Sequence, residues 1–316
     1  MPSLSFDEGK DGKAIALVKG GINDGDVLYL HEDGGGGRRP KPIIHRAKYA
    51  LAMRGISAPL RIAAWAQLEE ALAAHSTPDA AFADSSVLKT IYESILKDTN
   101  ITTTIELDDE GSFQLIPSPI PSERQIFYIA GASGSGKSYI TKGLAEFYHK
   151  LYPSRNIYLI SKLASDETLD SLKFIKRIPI QSLVDSPPDL AEFEQSFTIF
   201  DDYDTFSGPA AKIIHSVIED LCAMGRHKVA SVALCTHKIT NYAKTRLVLN
   251  ESTHYIVFPQ SSSFHALKHL LKNYVGVDEV DLKRHRKLGS RWICYSKGFP
   301  QYAIAQKDAE LLHQRD

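Results

Sequence analysis

The stretch Arg124–Leu144, RQIFYIAGASGSGKSYITKGL, decides the fold. Gly131, Gly136, Lys137 and Ser138 satisfy G-x-x-x-x-G-K-[ST], with Ala132, Ser133, Gly134 and Ser135 between them. Small residues fill the loop because the backbone must wrap closely around a phosphate. Its N–H groups, and the first turn of the following helix, then point at negative oxygens. The context suits that chemistry, since IFYIA (126–130) reads as a buried strand and SYITKGLAEFYHK (138–150) as an amphipathic helix. The pattern assigns residues 131–138 and the adjacent Tyr139 to nucleotide binding. Lys137 is placed to reach the β and γ phosphates, and the Ser138 hydroxyl to ligate Mg2+.

A phosphate loop needs an acidic partner for the metal, at the end of another buried strand. SFTIFDDYD (196–204) supplies it: an apolar run ends at Asp201, the expected metal ligand, while Asp202 is placed to orient or deprotonate the attacking water. A solvated turn rich in acids is the plainer alternative. The strand KVASVALCTHK ends in Thr236-His237-Lys238, and either Thr236 or His237 could sense the γ phosphate. A metal role for His237 is disfavoured, because no second His or Cys sits at ligand spacing.

Around these motifs, strand-like and helix-like segments alternate. Strands are expected at 125–130, 156–161, 197–200, 229–235 and 254–258, with helices at 138–150, 209–224 and 263–274. Alternation of this kind predicts an α/β fold, a P-loop NTPase with a mostly parallel sheet flanked by helices. SRWICYSKGFPQYAIAQ (290–306) predicts two further, antiparallel strands. Upstream, AIALVKGGINDGDVLYL (14–30) reads as two strands and DGGGGRRPKP (33–42) as a connector. Helical spacing runs from Ile43 to about Lys97, with Leu60, Ala64, Leu68 and Leu72 on one face beside Trp65. ITTTIELDDEGSFQLIP (101–117) predicts a hairpin. The Pro/Ser-rich PSPIPSE then marks a border between a smaller α+β domain, 1–116, and the ATPase domain, 117–316.

Composition narrows the function. With 43% hydrophobic and 24% charged residues, wholesale disorder is excluded. A net charge of −1 means that any nucleic-acid contact must be a local patch. The densest basic run, DLKRHRKLGSR (281–291), is either such a patch, tracking a backbone without regard to sequence, or a solvated helix face. GRRPKP and Arg46-Ala47-Lys48 form a weaker cluster. The three cysteines, Cys222, Cys235 and Cys294, form no CxxC pair, which argues against zinc and disulfides and predicts a reducing, intracellular setting. No export signal or membrane-spanning run is visible.

From the loop onward, the order of motifs resembles the FtsK–HerA branch of P-loop ATPases, and within it the genome-packaging ATPases of large double-stranded DNA viruses. The resemblance is carried by GASGSGKS (131–138), IYLISK (157–162), TIFDDYD (198–204), AMGRHKVASVALCTHK (223–238) and TRLVLNESTHYIVFP (245–259). It implies ATP hydrolysis with Mg2+, sequence-independent movement of double-stranded DNA, and a homo-oligomeric ring. An arginine from a neighbouring subunit, Arg226 or Arg246, would complete each site. Capsid or other virion proteins are implied partners, and host cytoplasm, viral factory or virion the implied setting. Two departures stand out: Thr236-His237 replaces the family's Gln or Asn sensor, and Asp202 stands where many ring translocases carry Glu. A small-molecule or nucleotide kinase and a nucleotide-gated assembly protein are the competing functions.

Overall fold

The computed structural model describes residues 2–32 except 22, isolated positions between 66 and 89, and residues 103–312 except 108, 109 and 241. The connector at 33–42, the named helical residues between Ile43 and Lys97, and the weaker basic cluster lie outside the described residues.

Two sheets form. The smaller is antiparallel, in the order β1 (Ser3–Ser5), β3 (Val27–His31), β2 (Lys13–Lys19), β5 (Ser112–Leu115). The larger has ten strands. Its parallel half runs β8 (Ile175–Arg177), β7 (Ile157–Ser161), β9 (Phe197–Asp201), β10 (Ser231–Thr236), β6 (Ile126–Ala130), β11 (His254–Val257). Antiparallel pairing then adds β12 (Ile293–Ser296), β13 (Tyr302–Ala305), β14 (Asp308–Leu311) and β4 (Thr104–Glu106). From residue 103 onward the α-helices are α1 (Lys137–Leu151), α2 (Ile180–Asp185), α3 (Gly208–Met224), α4 (Tyr242–Glu251), α5 (Phe264–Tyr274) and α6 (Glu279–Lys287). The strand that carries the phosphate loop is thus central, and the acidic strand β9 stands one strand away, across β10.

The apolar runs that read as strands are buried on both faces, as strands of a covered parallel sheet must be. Because successive side chains alternate, each strand feeds two cores. Phe127, Ile129, Ile199, Ala233 and Ile256 pack with Leu144, Ala145 and Tyr148 of α1, and share that core with Val18, Leu28 and Phe113 of the small sheet. Ile126, Tyr128, Val232, Leu234 and Tyr255 point the other way, against Ile214, Ile218 and Leu221 of α3 and Leu267 and Leu271 of α5. The fold is that of a P-loop NTPase.

The expected hairpin at 101–117 does not form. β5 pairs with β2, Phe113 opposite Val18, whereas β4 closes the edge of the large sheet, Ile105 opposite Ala309. The reason is β14: DAEL is too short and too polar to read as a strand, so the partner available to β4 was invisible in the sequence.

The basic run stays exposed, and several of its charges have partners within the chain. On α6, Lys283 pairs with Glu279 (2.9 Å), and Arg284 with Asp281 (2.8 Å) and Glu310 of β14. His285 is buried between Glu310 and the Tyr295 hydroxyl, and Arg286 lies over the Phe264 ring, 5.8 Å from its centroid. Arg291 reaches a different partner, described below.

Asp308 at the start of β14 sits near Glu106 and Glu310. Burial, then those two charges, push its carboxyl up to about 6. The folded state therefore holds its proton more tightly than the unfolded chain, and stability falls as pH rises through the interval from about 4 to 6. Taken in full, a shift of that size is worth about 3 kcal/mol, which solvent screening reduces to roughly 1 kcal/mol. Asp308→Asn is expected to stabilise the protein by about that amount at pH 7.5 and by almost nothing at pH 4, read as urea midpoints at the two pH values. An equal effect at both would contradict the assignment.

Candidate active site

Three strand ends converge. The Gly131 N–H at the end of β6 donates to the Thr236 carbonyl at the end of β10 (3.1 Å), and Ser161 of β7 stands in register with Asp201 of β9. Crevices at the carboxyl ends of parallel strands are where open α/β sheets bind ligands.

The loop's shape depends on glycine in two ways. Gly136 holds φ +117°, a region that side chains avoid, and caps α1 without a side-chain bond, so the first-turn N–H groups stay free to face an anion. Gly131 has ordinary dihedrals but no room: an added Cβ would lie 2.5 Å from Cδ2 of the buried Phe258 ring and 2.6 Å from Ser135 Oγ. Overpacking of that kind costs about 1–3 kcal/mol. Gly131→Ala is expected to weaken binding of a fluorescent ATP analogue by roughly tenfold or more, the equivalent of 1.4 kcal/mol. Unchanged affinity would show that the close packing beneath the loop is irrelevant to it.

Lys137 is 7% exposed and lies over the loop rather than in solvent. Its ammonium donates to the Gly131 carbonyl (3.1 Å), the Ala132 carbonyl (3.4 Å) and His237 Nδ1 (3.3 Å), and pairs with Asp202 Oδ1 at 3.4 Å. An ammonium only donates, so Nδ1 accepts; the His237 proton sits on Nε2 and is donated to Asp202 Oδ2 at 2.9 Å. Asp202 adopts a left-handed conformation, φ 47°, which Asp tolerates better than most residues. Its Oδ1 is buried and has no hydrogen-bond partner.

Asp201 is 3% exposed. Burial, then the neighbouring Asp202 charge, raises its carboxyl above the usual range against the opposing hydrogen bond that Ser161 Oγ donates to Oδ2 (3.0 Å). Two adjacent carboxylates, with Asp202 Oδ1 buried and engaged only by the long 3.4 Å ion pair to Lys137, fit a hard cation. Ser138 and Asp201 are the oxygens that could hold Mg2+, which binds through one or two protein oxygens plus substrate phosphates. Among the described residues no cluster of three or more His, Cys, Asp or Glu could hold a metal by itself.

The other expected residues separate. Thr236 is buried, and its hydroxyl is spent on the turn, accepting from Lys238 N–H (3.1 Å) and donating to the Lys238 carbonyl (3.3 Å). His237 is the residue of the pair that faces Lys137 and Asp202. Tyr139 points into solvent, 73% exposed. Arg226 lies in the short helix Gly225–Lys228 that precedes β10, at the opposite end of that strand from the phosphate loop, about 17–20 Å away for six extended residues. Within one chain it cannot reach the loop. Arg246 is exposed in the middle of α4, between β10 and β11.

The sequence reading missed three contributors. Ser161 was visible only as the last residue of IYLIS. Asp204 accepts the His237 backbone N–H (3.3 Å), which sets the direction of the chain after β10. Arg291 donates from Nε to the Ser135 carbonyl (2.8 Å) and from Nη2 to the Gly134 carbonyl (3.2 Å), across a separation that no local pattern signals. A cavity of about 360 Å³, lined in part by Glu123, Arg124, Asn250 and His254, opens at the starts of β6 and β11, away from this chemistry.

No family model matches the chain. It is similar to a protein of the Sputnik virophage described as uncharacterized protein V3, 32% identical over 206 residues, 64% of this chain and 82% of that protein. Among solved structures it is similar to the genome packaging NTPase B204 from Sulfolobus turreted icosahedral virus 2 in complex with AMPPCP. Identity there is 16% over 60% of this chain and 99% of that one, with a TM-score of 0.41. The cytoplasmic domain of the Thermomonospora curvata type VII secretion ATPase EccC is 13% identical over 58% of this chain and 25% of that one, also with a TM-score of 0.41. At such identities and scores, the chemistry rests on this chain's own residues.

Proposed function

We propose that this chain, which belongs to the family of the Sputnik virophage protein V3, is an ATP-hydrolysing double-stranded DNA translocase of the viral genome-packaging type. One observation carries the reading: Lys137, Asp201, Asp202 and His237 meet at the ends of β6, β9 and β10, beside a loop with a helix N-terminus behind it. The N–H groups of that loop cradle the phosphates, Lys137 leaves its carbonyl partners to bind β and γ oxygens, and Ser138 and Asp201 hold Mg2+. The metal, when bound, neutralises charge on the phosphates. Asp202 accepts the proton of the attacking water or orients it, and His237, already hydrogen-bonded to Asp202, reports the state of the γ phosphate.

In this proposal the functional unit is a homo-oligomeric ring, because the Arg226 position serves a neighbour's nucleotide and not its own. Arg246, exposed on α4, is the competing donor. Residues 117–316 form the nucleotide-binding unit, with β4 lent to its sheet edge, and residues 1–116 dock other virion components. The virophage source of the relative supports a viral setting. No helix among the described residues is long and apolar enough to cross a membrane. The kinase alternative is weakened by the segment between β7 and β9: its single arginine, Arg177, is held by Asp170 (2.7 Å) and the Leu163 carbonyl (2.9 Å) and cannot serve as a free lid residue.

Displacement of a triplex-forming strand from long duplex DNA tests the movement itself. ATP-dependent displacement is expected, and none in its absence; hydrolysis without displacement on any duplex would sink the translocase. Mixing tests the shared site. Lys137→Ala and Arg226→Ala subunits, each inactive alone, are expected to recover part of the ATPase rate together, whereas mixtures as inactive as the separate variants would remove Arg226 from the neighbour's site.

A further inference from the structure

The geometry points to Arg291 as a positioning residue for the phosphate loop, a clamp that fixes the loop's anion-binding shape from outside. The inference rests on the nucleotide-site reading above but not on DNA movement.

Arg291 lies just before β12, in the antiparallel half of the large sheet, while its guanidinium extends to the loop. Nε donates to the Ser135 carbonyl at 2.8 Å and Nη2 to the Gly134 carbonyl at 3.2 Å. In a trans peptide the C=O and N–H point in opposite directions. Holding those two carbonyls outward therefore turns the N–H groups of Ser135 and Gly136 inward. Ser135 N–H already donates across the turn to the Ala132 carbonyl (3.2 Å), which leaves the Gly136 peptide as the one whose orientation the clamp most directly sets for an anion.

The remaining contacts suit a clamp better than a surface charge. The Arg291 backbone N–H donates to Gln306 Oε1 (2.7 Å), and the Gln306 N–H donates to Ser290 Oγ (3.0 Å), so Arg291 and the residue before it are anchored to the turn between β13 and β14. An added Cβ on Gly136 would lie 3.2 Å from Arg291 Nε, so glycine is needed there partly to let the guanidinium approach. Only a planar fork with fixed spacing can serve two successive carbonyls in this way; an ammonium on a flexible stem would serve one at a time. The partly freed loop of a variant would sample shapes in which its N–H groups diverge, and binding would bear the cost of reordering them.

The test uses the full chain with Mg2+ and a fluorescent ATP analogue, together with steady-state hydrolysis. Arg291→Ala is expected to raise the dissociation constant and KM for ATP about tenfold while kcat changes less than about threefold, a split unlike that of a lost reacting group. Arg291→Lys, which keeps the charge, should lose most of the same affinity. Millimolar guanidinium should restore part of it to Arg291→Ala and none to Lys137→Ala. Gln306→Ala should move affinity in the same direction by a smaller factor. Thermal denaturation of each variant establishes that it is folded.

If Arg291→Lys bound nucleotide as tightly as the parent, the guanidinium would act through charge alone and the clamp would be refuted. Unchanged affinity in folded Arg291→Ala would refute it equally. Failure of the parent chain itself to bind ATP would instead overturn the nucleotide-site reading, so the two failures are distinct.

Discussion

Lys137→Ala is expected to lower ATP hydrolysis by at least about 10²–10³-fold, the loss seen when one preorganised donor to a developing negative charge is removed. The reasons are local. The ammonium is shared among two loop carbonyls, His237 and Asp202, all within 3.4 Å. These are weak, replaceable contacts for a group that, in the proposed mechanism, moves onto phosphate oxygens when a nucleotide enters. Its removal also leaves Asp201 and Asp202, two adjacent carboxylates of which one is deeply buried, without their nearest cation. Phosphate release at saturating ATP and Mg2+ measures the loss, and a folded variant with more than a tenth of the parental rate would show that another residue does this work.

The largest expected effect on stability lies far from the site. Glu310 holds α6 against β14 by accepting from both His285 and Arg284. Burial alone would push its carboxyl up, but those hydrogen bonds outweigh burial and hold it down at about 2. Glu310→Ala removes the acceptor, leaving the buried imidazole with only the Tyr295 hydroxyl and the half-exposed guanidinium with only Asp281. Breaking a buried pair on one side costs about 3–5 kcal/mol, and the exposure of Arg284 places the expectation at the lower end, about 3 kcal/mol.

The sign with pH follows from the depressed value. The contribution is fully present above the unfolded-state pKa of about 4.3 and is lost as pH falls through about 2. Urea midpoints of parent and variant should therefore differ by the full amount at pH 7 and converge below about pH 4. A gap that stayed constant down to pH 2 would mean that the loss comes from packing and not from the ion pairs.

Much of the fold was legible because its strongest signals are local. IFYIA, FTIFD and SVALCT are continuous apolar runs, and the GASGSGKS glycines announce a tight turn before a helix. What escaped depends on pairing across long separations. TIE and DAEL are each too short to show a period, yet they pair with each other to complete the sheet edge. The basic run was rightly helical in its first part, but periodicity could not show that Glu310, well beyond it in the chain, would claim Arg284 and His285.

The site divides along the same line. Asp201 ends a readable strand, and so does Thr236, but choosing between Thr236 and its neighbour needs the direction of the turn. That direction is set by Thr236 bonding its own loop and Asp204 bonding the His237 N–H. Arg291 carried no local signal at all, since its partners lie in the loop and its anchor is Gln306.

The sharpest test of a duplex-driven motor is the rate of ATP hydrolysis by the purified chain, with long duplex DNA, with single strands and with neither, across a range of ionic strength. Duplex is expected to stimulate hydrolysis several-fold over both other conditions, with the stimulation declining as salt rises, because the contacts are to phosphates. A rate indifferent to duplex DNA at every salt concentration would contradict the translocase.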